Sequence, residues 1–271
     1  MAEETKRGGA PQEALLELRH IRKVFNAGTV SEMEVFHDFS LTIHKGEFIS
    51  VVGSNGSGKT TTLNLLCGSL TPDAGQILLH GKDITKMLEY KRAAFFGRVF
   101  QDPAKGTCPT MTILENMSLA DNKGKPFGLG RGVNRKKLDE YKQQLELLHL
   151  GLEDKIDLPV GVLSGGQRQA LALLISTMTP IELLVLDEHT AALDPKSSEN
   201  VMELTDRIVR EKQLSAIMVT HNLRFAVEYG TRLLMMDKGA CVIDSGPDGK
   251  AGYKIDDLLH TFNQISIECG N

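Results

Sequence analysis

One octapeptide, Gly53-Ser54-Asn55-Gly56-Ser57-Gly58-Lys59-Thr60, constrains this chain more than any other stretch. The apolar run Phe48-Ile49-Ser50-Val51-Val52 ahead of it reads as a strand, and Thr61-Thr62-Leu63-Asn64-Leu65-Leu66 behind it suits a helix. Strand, glycine-rich loop and helix in that order are the setting a phosphate-binding loop needs. Its glycines let the backbone curl without Cβ clashes, so successive N–H groups face one concavity. The concavity lies at a helix N-terminus, where unpaired N–H groups and the helix dipole favour anions. Lys59 is then expected to reach β- and γ-phosphates, and the Thr60 hydroxyl to bind Mg²⁺. The competing reading is a glycine-rich turn with no ligand, but Lys-Thr stands in register with both flanking elements. Residues 53–61, through Thr61, are expected to hold a nucleoside triphosphate.

The 271 residues are enough to bury a substantial core. With 41% hydrophobic and 24% charged residues, composition is that of an ordinary globular protein. A formal charge of −4 gives no reason to expect nucleic acid as a partner. The cysteines (Cys67, Cys108, Cys241, Cys269) are scattered, so neither a zinc site nor a disulfide framework is expected, and a reducing compartment is the simplest home. Residues 1–13 are polar, read as a flexible tail, and lack the apolar core of a signal peptide. No apolar run approaches the length that crosses a bilayer, so a membrane role would require a partner.

Strand-like patterns occupy residues 15–25 and 35–43, with shorter strands at 75–79 and 98–100 and a turn at Gly81-Lys82-Asp83. Residues 112–150 are more helical, with Leu138, Tyr141, Leu145 and Leu148 at helical spacing, interrupted by an expected exposed loop at 121–131. Leu163-Ser164-Gly165-Gly166-Gln167 then opens an apolar helix. The run 181–186 suits a buried strand ending at Asp187-Glu188, and after a helix at 196–212 another strand, 215–220, ends at His221. Strands alternating with helices indicate an α/β fold with a mostly parallel sheet covered on both faces. Ligands sit at the carboxyl ends of such strands, where Gly53, Asp187 and His221 all fall. Asp256-Asp257-Leu258-Leu259-His260 reads as a last helix.

From about Leu15 to Phe262 the chain resembles the ATP-binding cassette (ABC) family. The resemblance rests on five motifs in order: the phosphate loop, Gln101 as the Q-loop, Leu163-Ser164-Gly165-Gly166-Gln167 as the signature, the strand ending in Asp187-Glu188, and His221. Ala192-Leu193-Asp194 is similar to the D-loop. The resemblance implies a P-loop NTPase (RecA-like) core with an antiparallel β-subdomain and an inserted α-helical subdomain. It sets an ABC ATPase domain over 14–262, with the helical subdomain at about 102–163 and a tail at 263–271. ATP and Mg²⁺ are the implied cofactors.

Site roles follow from the same resemblance. Asp187 with Thr60 and Gln101 would serve the metal, although Asp187 could instead be a helix cap or a surface carboxylate. Glu188 would be the general base, projecting opposite to Asp187 unless the backbone has already turned. His221 would contact the γ-phosphate, its alternative being a core histidine satisfied by the backbone. Ser164, Gly165, Gly166 and Gln167 form a second helix N-terminal anion site. One nucleotide cannot easily use both sites of one chain, and the family's arrangement is two copies head to tail. Phe25, with Phe36 as the other choice, would stack on adenine. The family usually has proline or a small residue where His189 stands, so His189 is either a neutral spacer or a group near the γ-phosphate. The segment 187–196 is similar to a bacterial subgroup associated with tryptophan/tyrosine or amino-acid-type uptake.

The resemblance thus implies the ATPase subunit of a transporter at the cytoplasmic face of the membrane. Its partners would be a second copy, a separate permease and an extracytoplasmic solute-binding protein. Import is favoured, with coupling through the groove between Gln101 and 102–163, including residues 111–116. The other class is a soluble cassette ATPase in assembly, translation or repair. About sixty residues separate Gln101 from the signature and lack heptads, which disfavours the repair type.

Overall fold

The computed structural model describes residues 13–125, 132–246 and 249–268. Its strands are Ala14–Phe25 (β1), Met33–His44 (β2), Phe48–Gly53 (β3), Ala74–Leu79 (β4), Lys82–Asp83 (β5), Phe96–Val99 (β6), Leu183–Asp187 (β7), Ser215–Val219 (β8), Arg232–Asp237 (β9) and Ala240–Asp244 (β10). The α-helices are Lys59–Cys67 (α1), Glu89–Arg92 (α2), Ile113–Asp121 (α3), Leu138–Glu146 (α4), Gly165–Ser176 (α5), Pro195–Glu211 (α6), Leu223–Glu228 (α7) and Ile255–Glu268 (α8).

The strands form two sheets. An antiparallel sheet has the order β2-β1-β4-β5, and a six-stranded sheet has the order β10-β9-β3-β8-β7-β6. Within the second, β9-β3-β8-β7-β6 is parallel throughout and β10 adds an antiparallel edge.

The period of two along the central strands explains the layering. On β7, Leu183 and Val185 join the core beneath the antiparallel sheet, while Leu184 and Leu186 join the core that reaches α3, α4 and α5. On β8, Ile217 and Val219 take the first side and Ala216 and Met218 the second. Both faces are therefore apolar, which is why these strands read as unbroken hydrophobic runs.

Local differences from the sequence reading have physical causes. β9 escapes the sequence reading because its buried residues, Leu233-Leu234-Met235-Met236, are good helix formers without β-branching. The expected turn at 81–83 is tighter: Lys82 and Asp83 already pair with Leu79 and Leu78. Phe100 lies past the end of β6, and β7 starts at Leu183 rather than 181. In the expected exposed loop, Lys123 folds inward instead, and its Nζ donates to the Phe96 carbonyl at 3.1 Å. Burial lowers its pKa. Residues 126–131 of that loop, and 1–12 of the expected N-terminal tail, lie outside the described residues. Helix α8 runs through the expected boundary at 262 to Glu268, and residues 269–271 are outside the description.

Arg92 anchors the phosphate-loop helix from its far end. It is only 1% exposed, yet its guanidinium donates to the carbonyls of Leu65, Leu66, Ile84, Thr85 and Met87 at 2.7–3.0 Å. Two of these acceptors belong to the C-terminal turn of α1, where carbonyls lack helical partners and attract cations. Arg92→Met keeps the stem but strands the acceptors, and urea unfolding should show a loss of at least about 3 kcal/mol.

Candidate active site

The phosphate-binding loop is squeezed between two elements of different sheets. Gly53 ends β3 at φ +155°, and a Cβ there would sit 2.2 Å from the Met236 carbonyl oxygen of β9. Gly58 caps α1 at φ +101°, and a Cβ there would meet the Phe36 ring at 2.7 Å. Only glycine fits such approaches at such dihedrals. Lys59 is 5% exposed, and its Nζ donates to the carbonyls of Gly53 (2.9 Å) and Ser54 (2.8 Å). Burial lowers its pKa, and the Glu188 charge acts in the opposite direction. The Ser54 hydroxyl donates to Asp237 Oδ1 at 2.9 Å. The Ser57 hydroxyl is buried without a protein partner, whereas buried polar groups normally have one. Asn55, Gly56 and Thr60 are exposed and Thr61 is partly buried.

Three adjacent parallel strands deliver the rest of the site to one edge. Asp187 closes β7 opposite Val219, and His221 follows two residues beyond β8. Glu188 sits at φ +49°, so the backbone has already turned after Asp187. Its N–H donates to the Val219 carbonyl at 3.0 Å. The turn brings Glu188 Oε1 to 2.8 Å from His221 Nε2. The Glu188 side chain is mostly buried and that of His221 about half exposed. A cleft of about 620 Å³ is lined by Glu188, Leu193, Ser198 and His221, and one of about 280 Å³ lies between Gly53-Ser54-Asn55 and His221. Gln101 is exposed just beyond β6, whose Val99 pairs with Leu186, and so lies along the same edge.

Two residues singled out from the sequence turn out to be interior ones. His189 is 2% exposed, and its Nε2 lies 3.1 Å from the Thr205 hydroxyl. That hydroxyl donates to the Val201 carbonyl at 2.7 Å, so the imidazole must be the donor to it. Burial pushes the His189 pKa down to about 4, which makes it a neutral core residue with no place beside a phosphate. Phe36 is wholly buried, stacked on Phe39 at a centroid distance of 4.7 Å, and forms the floor under Gly58. It is thus excluded as a stacking platform. Phe25 ends β1 partly buried, with Lys23 Nζ 5.5 Å from its ring centroid.

Ser164 caps α5 in a capping box: the Gln167 N–H donates to its hydroxyl, and its own N–H donates to Gln167 Oε1, both at 3.2 Å. Gly165 and Gly166 pack against Leu193 and Ser197, where an added Cβ would come within 3.2 and 3.1 Å. Asp194, between them in sequence, caps α6. Ser164, Gly166 and Gln167 line a separate small cleft of about 70 Å³. The structure therefore joins the phosphate loop to Asp187, Glu188 and His221 at one edge, and leaves the second anion site apart.

The donor set also bears on the metal. Among the described residues no cluster of three His, Cys, Asp or Glu side chains forms a self-sufficient cage. Thr60 and Asp187 offer one hydroxyl and one carboxylate, a set that fits Mg²⁺, which keeps waters and borrows phosphate oxygens. Sequence reasoning missed Arg98, whose Nη2 lies 3.1 Å from Asp187 Oδ2. A charged residue inside the otherwise apolar strand Phe96–Val99 was the available signal.

The ABC transporter family model matches residues 36–191, more than half of the chain. The chain belongs to the ABC transporter family. It is an ATPase of that family, with the α/β cassette fold. The tyrosine transport ATP-binding protein of Clostridioides difficile (strain R20291) is 45% identical over 92% of this chain and 98% of its own length. The spermidine/putrescine import ATP-binding protein of Haemophilus influenzae (strain ATCC 51907 / DSM 11121 / KW20 / Rd) is 34% identical over 86% of this chain, which spans 58% of that relative. A dimeric ATP-binding cassette solved in a post-hydrolysis state with ADP and Pi superimposes with a TM-score of 0.72, at 25% identity, over 88% of this chain and 100% of that one.

The burial of His189 has a consequence for the pH dependence of this ABC ATPase. Unfolded, the imidazole takes a proton below its ordinary pKa near 6.5; folded, it resists protonation down to about 4. Stability is therefore fully present above pH 6.5 and lost as pH falls toward 4, by about 3 kcal/mol at most. Urea unfolding at a series of pH values should show this slope, and His189→Gln should flatten it.

Proposed function

We propose that the chain is the nucleotide-hydrolysing subunit of an amino-acid importer, working as a pair of identical copies on a separate permease. The observation that carries the reading is the separation of the two anion sites. The phosphate loop at α1 and the Ser164–Gln167 turn at α5 line different clefts of one chain. Packing two copies head to tail would bring each turn to the nucleotide held by the other. The dimeric ADP-bound relative supports this, and the tyrosine transport relative supports an aromatic amino acid as cargo.

Within that dimer Lys59 holds the β- and γ-phosphates beside the backbone N–H groups of residues 53–61, and Phe25 stacks on adenine. Thr60 and Asp187, with Gln101, would hold Mg²⁺, which would supply charge neutralisation to the triphosphate. Glu188 accepts the proton of the attacking water. His221 occupies Glu188 Oε1 and so orients the carboxylate, whose second oxygen keeps acceptor capacity for that water. Ser164, Gly165, Gly166 and Gln167 contribute from the second copy.

The permease would dock in a cleft of about 630 Å³ between the six-stranded sheet and the helical section, lined by Phe96, Phe100, Cys108, Asn116, Leu119 and Lys123. Among the described residues no helix is long and apolar enough to cross a membrane. A cytoplasmic-face location and an extracytoplasmic solute-binding protein complete the proposed assembly.

Glu188→Gln should still bind ATP, lose about 10²–10⁴ in hydrolysis rate, and run at twice the monomer mass in light scattering with ATP. Unchanged turnover would remove Glu188 from its role. The cargo is tested by reconstituting the chain with its permease and binding protein in vesicles. Tyrosine and related amino acids should raise the ATPase rate, and Ser164→Ala with Gly165→Asp should lower it about 10²-fold. Full hydrolysis by that double variant would sink the paired arrangement, and indifference to every amino acid would sink the cargo.

A further inference from the structure

Arg98 stands where the nucleotide edge meets the cleft beside the helical section. It lies on β6 opposite Val185, two residues before Asp187 on the neighbouring strand, so the two side chains share a sheet face. Its Nη2 donates both to Asp187 Oδ2 at 3.1 Å and to Asn64 Oδ1 at 2.8 Å, and Asn64 belongs to α1, the helix of the phosphate loop. Its Nη1 lies 3.3 Å from the Ser69 hydroxyl, which donates to Glu89 at 2.9 Å. The guanidinium sits 4.5 Å from the centroid of Phe100, the residue before Gln101. Its Nε is buried without a protein partner.

We propose that Arg98 is a positioning residue for the metal carboxylate: by holding Asp187 Oδ2 against α1, it sets the carboxylate relative to Thr60 and so determines how strongly Mg²⁺ supports nucleotide binding. Arg92 satisfies its donors on backbone carbonyls alone. Arg98 instead directs one nitrogen, Nη2, at both a carboxylate on β7 and a side-chain amide on α1. The pair is nearly buried, with side chains 13% and 15% exposed, so solvent screening is weak and the geometry is held. Hydrogen-bonded partners of ligating carboxylates govern metal affinity in this way. Arg98 also lines the cleft of about 630 Å³, so the residue that holds Asp187 borders the surface proposed for docking.

The inference rests on the assignment of Mg²⁺ to Thr60 and Asp187. The test compares the affinity for a fluorescent ATP analogue in excess Mg²⁺ with that in EDTA, in a Glu188→Gln background. For the parent the ratio should be large. Arg98→Met should reduce it about 10–100-fold while leaving the EDTA affinity within about twofold. Arg98→Lys should recover part of the loss, because an ammonium is a point charge without the two-sided fork. Asn64→Ala removes the other anchor without touching Asp187 and should lower the ratio in the same direction, so the inference stays testable should Arg98→Met fold poorly. A responsive parent whose ratio is shared by Arg98→Met, or by both Arg98→Lys and Asn64→Ala, overturns the role of Arg98 alone. A parent equally tight with Mg²⁺ and with EDTA overturns the metal assignment and this inference together.

Discussion

Everything in the site depends on how closely the loop between β3 and α1 is pressed against its neighbours. The Met236 carbonyl touches one side of it and the Phe36 ring the other, at Gly53 and Gly58 respectively. Neither position has room for a Cβ, and the left-handed backbone at Gly58 puts consecutive N–H groups at the entrance to α1. Phe36 therefore forms the floor on which the loop is moulded. Arg92 pins the other end of the same helix by its terminal carbonyls. A nine-residue helix is marginal alone, and here both of its ends are held by residues of other elements.

A second constraint is the turn at Glu188. Had the strand continued, Glu188 would have pointed to the face opposite Asp187. The positive φ reverses this and seats the carboxylate against His221 while sending His189 into the core. The two consecutive residues therefore have opposite fates, one in the cleft and one bonded to Thr205. Their division of labour is a property of one backbone dihedral rather than of side-chain chemistry. Strain at a functional site of this kind persists because the surrounding sheet over-determines it.

The sequence revealed the parts of the site that follow from local rules. The loop was legible because glycine spacing, Lys59-Thr60 and the flanking periodicities report one local geometry. β7 and β8 were legible because strands covered on both faces must be apolar throughout. The sequence favours Phe25 over Phe36 only through the family resemblance, since which one faces the interior depends on how β2 registers against β1, where the pairing slips several times. His189 was ambiguous because the deciding dihedral belongs to the residue before it. Arg98, Asn64 and Asp187 lie far apart in sequence and meet only through the strand order β7-β6 and the packing of α1, which no local pattern encodes.

The charges at this edge nearly cancel. Lys59 and Arg98 stand against Asp187, Glu188 and the loop-bound Asp237, and Arg98 and Asp187 are already engaged with each other. Net attraction by unpaired positive charge is therefore a weak basis for holding a polyanion here. On the proposed reading the grip comes from directed donors: the loop N–H groups, the one Lys59 proton not given to Gly53 and Ser54, and the turn at the start of α5. Directed donors are short-ranged, so they reward a phosphate only when it is in place, and a second set is useful only if it arrives from outside the chain. A site built this way senses whether the terminal phosphate is present far more sharply than a pool of positive charge would. That is the property needed for nucleotide cleavage to open and close a subunit pair.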